Sequence, residues 1–196
     1  SRATGGVGLI ITEMTAISET GRITEGCAGI YNAEQLNQWK KITDFIHNNT
    51  ETKIVIQLGH SGRKGATKKP WEGNGPMETP WDLISASPIA FNENFATPKE
   101  MTLEDMKEIK AQFVQAAKNA DEAGFDMIEL QAHHGFLLAS FLSPLTNIRT
   151  DEFGGNIENR LKYPLAIFKG IRDVFPTEKP ISDRISATDW AENGIT

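Results

Sequence analysis

The chain has 196 residues, 39% of them hydrophobic and 23% charged, with a formal net charge of −6 and one cysteine. No run approaches the roughly 20 apolar residues of a membrane span, and the negative balance disfavours non-specific nucleic-acid binding, which needs a basic field. Cys27 stands alone, which excludes an internal disulfide or a multi-cysteine zinc or iron–sulfur site within this chain. No nucleic acid and no membrane is expected as a partner; a homo-oligomer stays open. A reducing, cytoplasmic setting is the default. Ser1-Arg2-Ala3 shows no signal-peptide pattern. The absence of a starting Met and the ending at Thr196, straight after a strand, read as a piece of a longer protein.

The first strand is expected from Val7 to Ala16, β-branched and bounded by Gly5-Gly6 and Gly21. Asn32 then caps a helix, with Gln35 placed for a capping box and Leu36, Trp39, Ile42 and Ile46 on one face. The second strand runs from Lys53 to Leu58 and stops at Gly59. Residues 59–102 follow with no helical or strand period of any length. Five of the nine prolines fall there, beside Trp71, Trp81 and the apolar pair Leu83-Ile84. A connection this long in a compact domain is usually functional or disordered. The apolar residues favour an ordered excursion over the mouth of the fold, contributing to a substrate pocket.

Thr102 caps the next helix with Asp105 in its first turn; Met106, Ile109, Phe113, Ala117 and Ala120 form its buried stripe. Gly124 is placed as its C′ residue. The third strand covers Phe125 to Leu130. A last helix spans about Ile157 to Phe175, with Leu161, Leu165, Phe168 and Ile171 inward. Pro164 should kink it or split it. The fourth strand is Pro180 to Ala187. Short strands apolar on both faces, alternating with amphipathic helices, predict βαβ units and a parallel α/β sheet. A doubly wound sheet and a (β/α)8 barrel both fit. No Gly-x-Gly-x-x-Gly sits at a strand-to-helix turn, so the dinucleotide version of the doubly wound fold lacks support. Four units amount to about half a barrel, since a whole one takes roughly 250 residues.

Gln57, Gln131, His134 and Arg184 stand at the ends of strands or within the last one. In a barrel, such residues converge on one mouth. Gln131 and His134, three apart, can face one site only if the chain turns after Ala132; Gly135 makes that turn. Arg184 and Asp183 alternate to opposite faces. An Arg buried in a lumen needs an anion or several acceptors. It could face a bound anionic group or pair with a carboxylate elsewhere in the chain; the residues alone leave both open. His133, His134 and Glu129 invite a metal reading, but adjacent His on an extended segment point apart and three placed ligands are wanted. No metal is expected.

Several stretches together resemble the Old Yellow Enzyme family of FMN-dependent oxidoreductases. They are Gly5 to Thr15, Gln57-Leu58-Gly59-His60-Ser61-Gly62-Arg63-Lys64, Leu83 to Pro88, the His134 turn, the loop 143–160, and Arg184 to Trp190. The details look most like the reductase domain of salicylyl-CoA hydroxylase and anthraniloyl-CoA monooxygenase/reductase proteins. The resemblance implies a TIM (β/α)8 barrel, of which this chain is about half, with FMN at its mouth and NAD(P)H as hydride source. It implies that Gln57 holds the pyrimidine edge, that Arg184 lies by N1 and O2, and that the backbone around Met14 lines the flavin. His134 would be one of two donors to the substrate oxygen, in an oxyanion-hole role.

Three positions depart from that pattern. Gln131 stands where the first donor is usually His. Phe136 stands where a Tyr usually protonates carbon, and a phenyl ring has no proton to give. Asp183 replaces an apolar residue on the helix-facing side. The leading expectation is hydride transfer from NAD(P)H through FMN to an activated alkene or aromatic-CoA-type acceptor. The alternatives are a flavin or quinone reductase lacking alkene protonation, and a non-catalytic half-barrel. The isolated chain is expected to be inactive.

Overall fold

The computed structural model describes residues 1–73, 75–78 and 80–195. Four strands form one parallel sheet: β1 (Leu9–Ala16), β2 (Lys53–Gly59), then β5 (Met127–Ala132) and β6 (Ile181–Ile185), ordered β1-β2-β5-β6. Between β2 and β5, two two-residue strands, β3 (Ile84–Ser85) and β4 (Lys99–Glu100), pair parallel to each other. The helices are α1 (Ala33–Asn49), α2 (Leu103–Glu122), α3 (Leu137–Leu142) and α4 (Ile157–Arg172).

Alternation along the strands gives the sheet two different faces. Ile54, Ile56 and Leu58 of β2, with Ile128, Leu130 and Ala132 of β5, join the stripe of α2 in one core. All five of the predicted inward residues of α2 are buried. The opposite face carries Met14, Gln57 and Glu129, aligned by the pairings Met14↔Gln57 and Gln57↔Glu129. Gln131 and Arg184 pair in the same way. Polar side chains therefore gather on the face that the helices leave open.

The caps largely follow the sequence. Thr102 and Asp105 form a full capping box. Lys99 bonds the same Asp105, and together these contacts hold its carboxyl down at about 2. Gly124 takes φ +87°, as a C′ glycine should. At α1 the reciprocal bond is displaced by one residue: Asn32 accepts from the Gln35 amide, but Gln35 Oε1 accepts from Tyr31 rather than from Asn32.

Some expectations about helix faces fail. Ile42 and Leu165 are exposed. In α1 the buried position goes to Thr43, whose hydroxyl donates to the Ala123 carbonyl. In α4, Tyr163, Pro164 and Ile167 turn inward instead of Leu165. Nor does Pro164 split α4, which runs unbroken through it. A proline forfeits one intrahelical bond and crowds the preceding turn. Here the ring is buried, and α4 packs on both α2 and α3, which holds the helix together. Asp183 does lie on the helix-facing side, opposite Leu130, yet it is exposed because β6 is an edge strand. Partial desolvation raises its carboxyl pKa.

Candidate active site

β2 delivers Gln57 and β5 delivers Glu129 and Gln131 to the open face. Gln57 Nε2 donates to Glu129 Oε1 at 2.6 Å, and Gln131 Nε2 donates to Gln57 Oε1 at 3.2 Å. All three side chains are buried. Arg184 Nη1 stands 3.9 Å from Glu129 Oε1. Arg184 was expected to be buried; its side chain is 54% exposed, because no strand covers β6 on its far side among the described residues. The carboxylate it approaches is the Glu129 of this same row, at a distance too long for a hydrogen bond.

Gly59 makes the cluster fit. A Cβ there would lie 2.4 Å from Gln131 Oε1 and 2.9 Å from Met14 Cγ. Only a glycine lets the Gln131 and Met14 side chains lie across β2. Gln131 Oε1 is itself buried with no hydrogen-bond partner among the described residues.

β5 ends at Ala132, and the chain turns there as the spacing required. His134 takes φ +58° and Gly135 φ +72°. The His134 amide donates to Ser186 Oγ at 3.1 Å, and its carbonyl accepts from Lys64 Nζ at 2.7 Å. The imidazole of His134 is exposed and packs on His133 with ring centroids 3.9 Å apart. Phe136 is buried, 6.3 Å from the His134 ring, and precedes α3.

Charge at this mouth is uneven. His133 is buried; desolvation, aided by His134, Arg184 and Lys64, lowers its pKa to about 4, so it is neutral at pH 7. Lys64 is lowered by desolvation and by Arg63. Its Nζ lies 4.4 Å from the Phe91 ring centroid and 5.2 Å from that of Phe136, in cation–π range. Arg63 donates to the carbonyls of Ile89 and Ala90 at 3.1 and 3.0 Å, which fastens this part of the 59–102 segment beside the turn. A cleft of about 330 Å3 opens there, lined by Arg63, Phe91, Gly135, Ser143, Ser186 and Asp189 among others.

The loop 143–160 is pinned by its own polar groups. Asn147 Nδ2 donates to the carbonyls of Phe141 and Phe153, each at 2.8 Å. Arg149 pairs with Asp151 and donates to the carbonyls of Ala86 and Met101 at 3.1 and 2.8 Å. The loop therefore braces α3 and the excursion. Sequence reasoning weighs Glu129 only as a metal ligand beside His133 and His134, and gives Lys64 no role in the site. The signals were a carboxylate in the apolar strand Met127–Ala132, and a lysine directly after the Gly62 turn. Among the described residues no group of three His, Cys, Asp or Glu side chains is placed to hold a metal ion.

The sequence profile of the NADH:flavin oxidoreductase / NADH oxidase family matches residues 1–196. An NADPH dehydrogenase of Listeria monocytogenes is 44% identical over 195 residues, covering 100% of this chain and 53% of that protein. The chain thus spans about half the length of the curated relatives it matches. Among solved structures, Old Yellow Enzyme from Pichia sp. AKU4542 superposes with a TM-score of 0.80 at 29% identity, covering 93% of this chain and 48% of that one. A 2-naphthoyl-CoA reductase in complex with 2-naphthoyl-CoA gives a TM-score of 0.87 at 28% identity, covering 100% and 30%.

Proposed function

The chain belongs to the NADH:flavin oxidoreductase / NADH oxidase family, that of Old Yellow Enzyme, and its sheet is about half of that family's barrel; from this membership we propose that the protein is an FMN-dependent NAD(P)H oxidoreductase. The observation that carries the reading is the polar row on the open face: Gln57 opposite Met14, Gln131 opposite Arg184, and Gln131 bonded to Gln57. Half-exposed cation, amide groups and an orphaned buried acceptor suit the polar edge of a flavin ring, which offers both donors and acceptors. When bound, FMN would supply hydride chemistry between the pyridine nucleotide and the acceptor.

The chain's own residues hold and orient. Gln57 would hold the pyrimidine edge of the ring. Arg184 would place positive charge where the reduced ring gathers negative charge. The backbone at Met14 would line the ring's flank. His134, held in its left-handed turn by Lys64 and Ser186, reaches into the mouth as a donor to the substrate oxygen. Gln131 is the second polar contact; the cleft that Phe91 of the 59–102 segment lines lies beside the His134 turn and has neither Gln131 nor His134 in its walls. The setting proposed is cytoplasmic, with a small-molecule substrate.

Phe136 favours a second reading of the acceptor. It occupies the position from which carbon would be protonated and has no proton to give. Quinones take protons from water and do not need that group, so quinone reduction suits this site better than alkene reduction. The test is the visible spectrum of the purified full-length protein. A flavin absorbance that bleaches anaerobically on adding NADPH or NADH supports the reading. Absence of flavin after reconstitution with FMN contradicts it.

A further inference from the structure

Glu129 is the one residue in the polar row to which the chemistry above gives no part. It is buried in the middle of β5 and lies opposite Gln57 in the register. Its contacts are the two residues proposed to hold the flavin ring: Gln57 at 2.6 Å and Arg184 at 3.9 Å. A carboxylate only accepts hydrogen bonds. Gln57 must therefore turn its amide nitrogen towards Glu129, which points its oxygen at the Gln131 nitrogen. An amide by itself has no preferred end; the carboxylate orders both glutamines in one direction.

The charge matters as much as the bond. Among the described residues, the ion pairs of Arg184 reduce to this one, with Glu129. The row thus contains one cation and one anion, close together in a partly buried setting where electrostatic effects exceed those in water.

Resting on the flavin reading above, we infer that Glu129 is a positioning residue of the flavin site. It fixes the amide of Gln57, steadies the guanidinium of Arg184, and offsets part of that cation's charge on the ring. Reduced flavin is the more negative state. Removing the carboxylate charge should then favour reduced over oxidised flavin, opposite in sign to removing Arg184.

The experiment measures the flavin midpoint potential of the FMN-loaded full-length protein, wild type against Glu129→Gln and Glu129→Asp, with melting temperature as the control on folding. Glu129→Gln should bind reduced flavin about tenfold more favourably relative to oxidised, an upward shift of about 30 mV for a two-electron couple. Glu129→Asp keeps the charge and should stay near wild type. An unchanged or lowered potential in Glu129→Gln overturns the inference. Loss of FMN from Glu129→Gln at an unchanged melting temperature supports it through Gln57. Loss of FMN with a lowered melting temperature, unrescued by Asp, assigns a structural role and overturns it. If wild type itself takes no FMN, the flavin reading has failed instead.

Discussion

The ammonium of Lys64 donates to the carbonyl oxygen of His134 at 2.7 Å and lies over the rings of Phe91 and Phe136. One cation thus ties together the turn after β2, the long excursion and the turn after β5. His134 sits at φ +58°, a conformation that non-glycine residues adopt only when their surroundings impose it. Lys64→Met should therefore loosen His134. The loss of one charge-assisted hydrogen bond is worth about 1.5–3 kcal/mol, so phenol or enone ligands should bind at least about tenfold more weakly. Titration of the flavin absorbance with such a ligand reads this directly. An unchanged dissociation constant would show that His134 does not depend on Lys64.

Phe136→Tyr should raise enone reduction and leave quinone reduction nearly unchanged. The side chain is buried with its ring centroid 6.3 Å from that of His134, so an added hydroxyl would lie close to that imidazole. A positioned general acid contributes about 10²–10⁴-fold. Anaerobic stopped-flow reoxidation of the reduced flavin by each acceptor separates the two. Equal enone rates in wild type and variant would remove Phe136 from the donor position, and His133 would then be the next residue to test.

Stability should fall on mild acidification because of His60. Its ring is fully buried and its Nδ1 accepts from the Gly62 amide at 3.0 Å. Desolvation lowers its pKa from 6.5 to about 4. A folded-state pKa below the unfolded one means that the unfolded chain binds the extra proton between these values. Stability is then full above about pH 6.5 and falls as the pH drops towards 4, by on the order of 3 kcal/mol for this group. Urea unfolding at pH 7 and pH 5 should show the difference, and His60→Asn should shrink it, leaving the part carried by His133, whose pKa is also lowered to about 4. Equal slopes in wild type and variant would contradict the assignment.

The bracing loop gives a prediction of pure packing. A Cβ on Gly154 would lie 2.0 Å from the carbonyl oxygen of Arg149, a backbone atom that cannot swing aside. Gly154→Ala should push Arg149 off the carbonyls of Ala86 and Met101 and cost more than about 3 kcal/mol. Chemical denaturation measures it. A variant within about 0.5 kcal/mol of wild type would show that the loop gives way easily.

Much of this was legible in the chain because its local signals agree with one another. The apolar runs of β2 and β5, the Thr102–Asp105 box and Gly124 needed no tertiary information, whereas the polar residues on one face of the strands ran against the expectation that both faces are apolar. The turn at His134 followed from geometry, since Gln131 and His134 cannot otherwise share a face. Helix faces were less legible wherever polar or cyclic residues took the inner place, as Thr43 did from Ile42 and Pro164 from Leu165. The Glu129–Gln57–Gln131 chain was hidden for another reason. It depends on register between two strands separated by some seventy residues, which no periodicity within either strand encodes. The loop 143–160 stood out in the sequence, but its polar groups serve to brace α3 and the excursion.

The most direct test of the flavin site is the midpoint potential of FMN in the full-length protein carrying Arg184→Met. Removing a cation from the edge where reduced flavin holds negative charge should lower the potential, with melting temperature little changed because the side chain is half exposed. The lost interaction of about 1.5–3 kcal/mol corresponds to roughly 30–65 mV for a two-electron couple. A potential equal to or above that of wild type would contradict the placement of the flavin against Arg184.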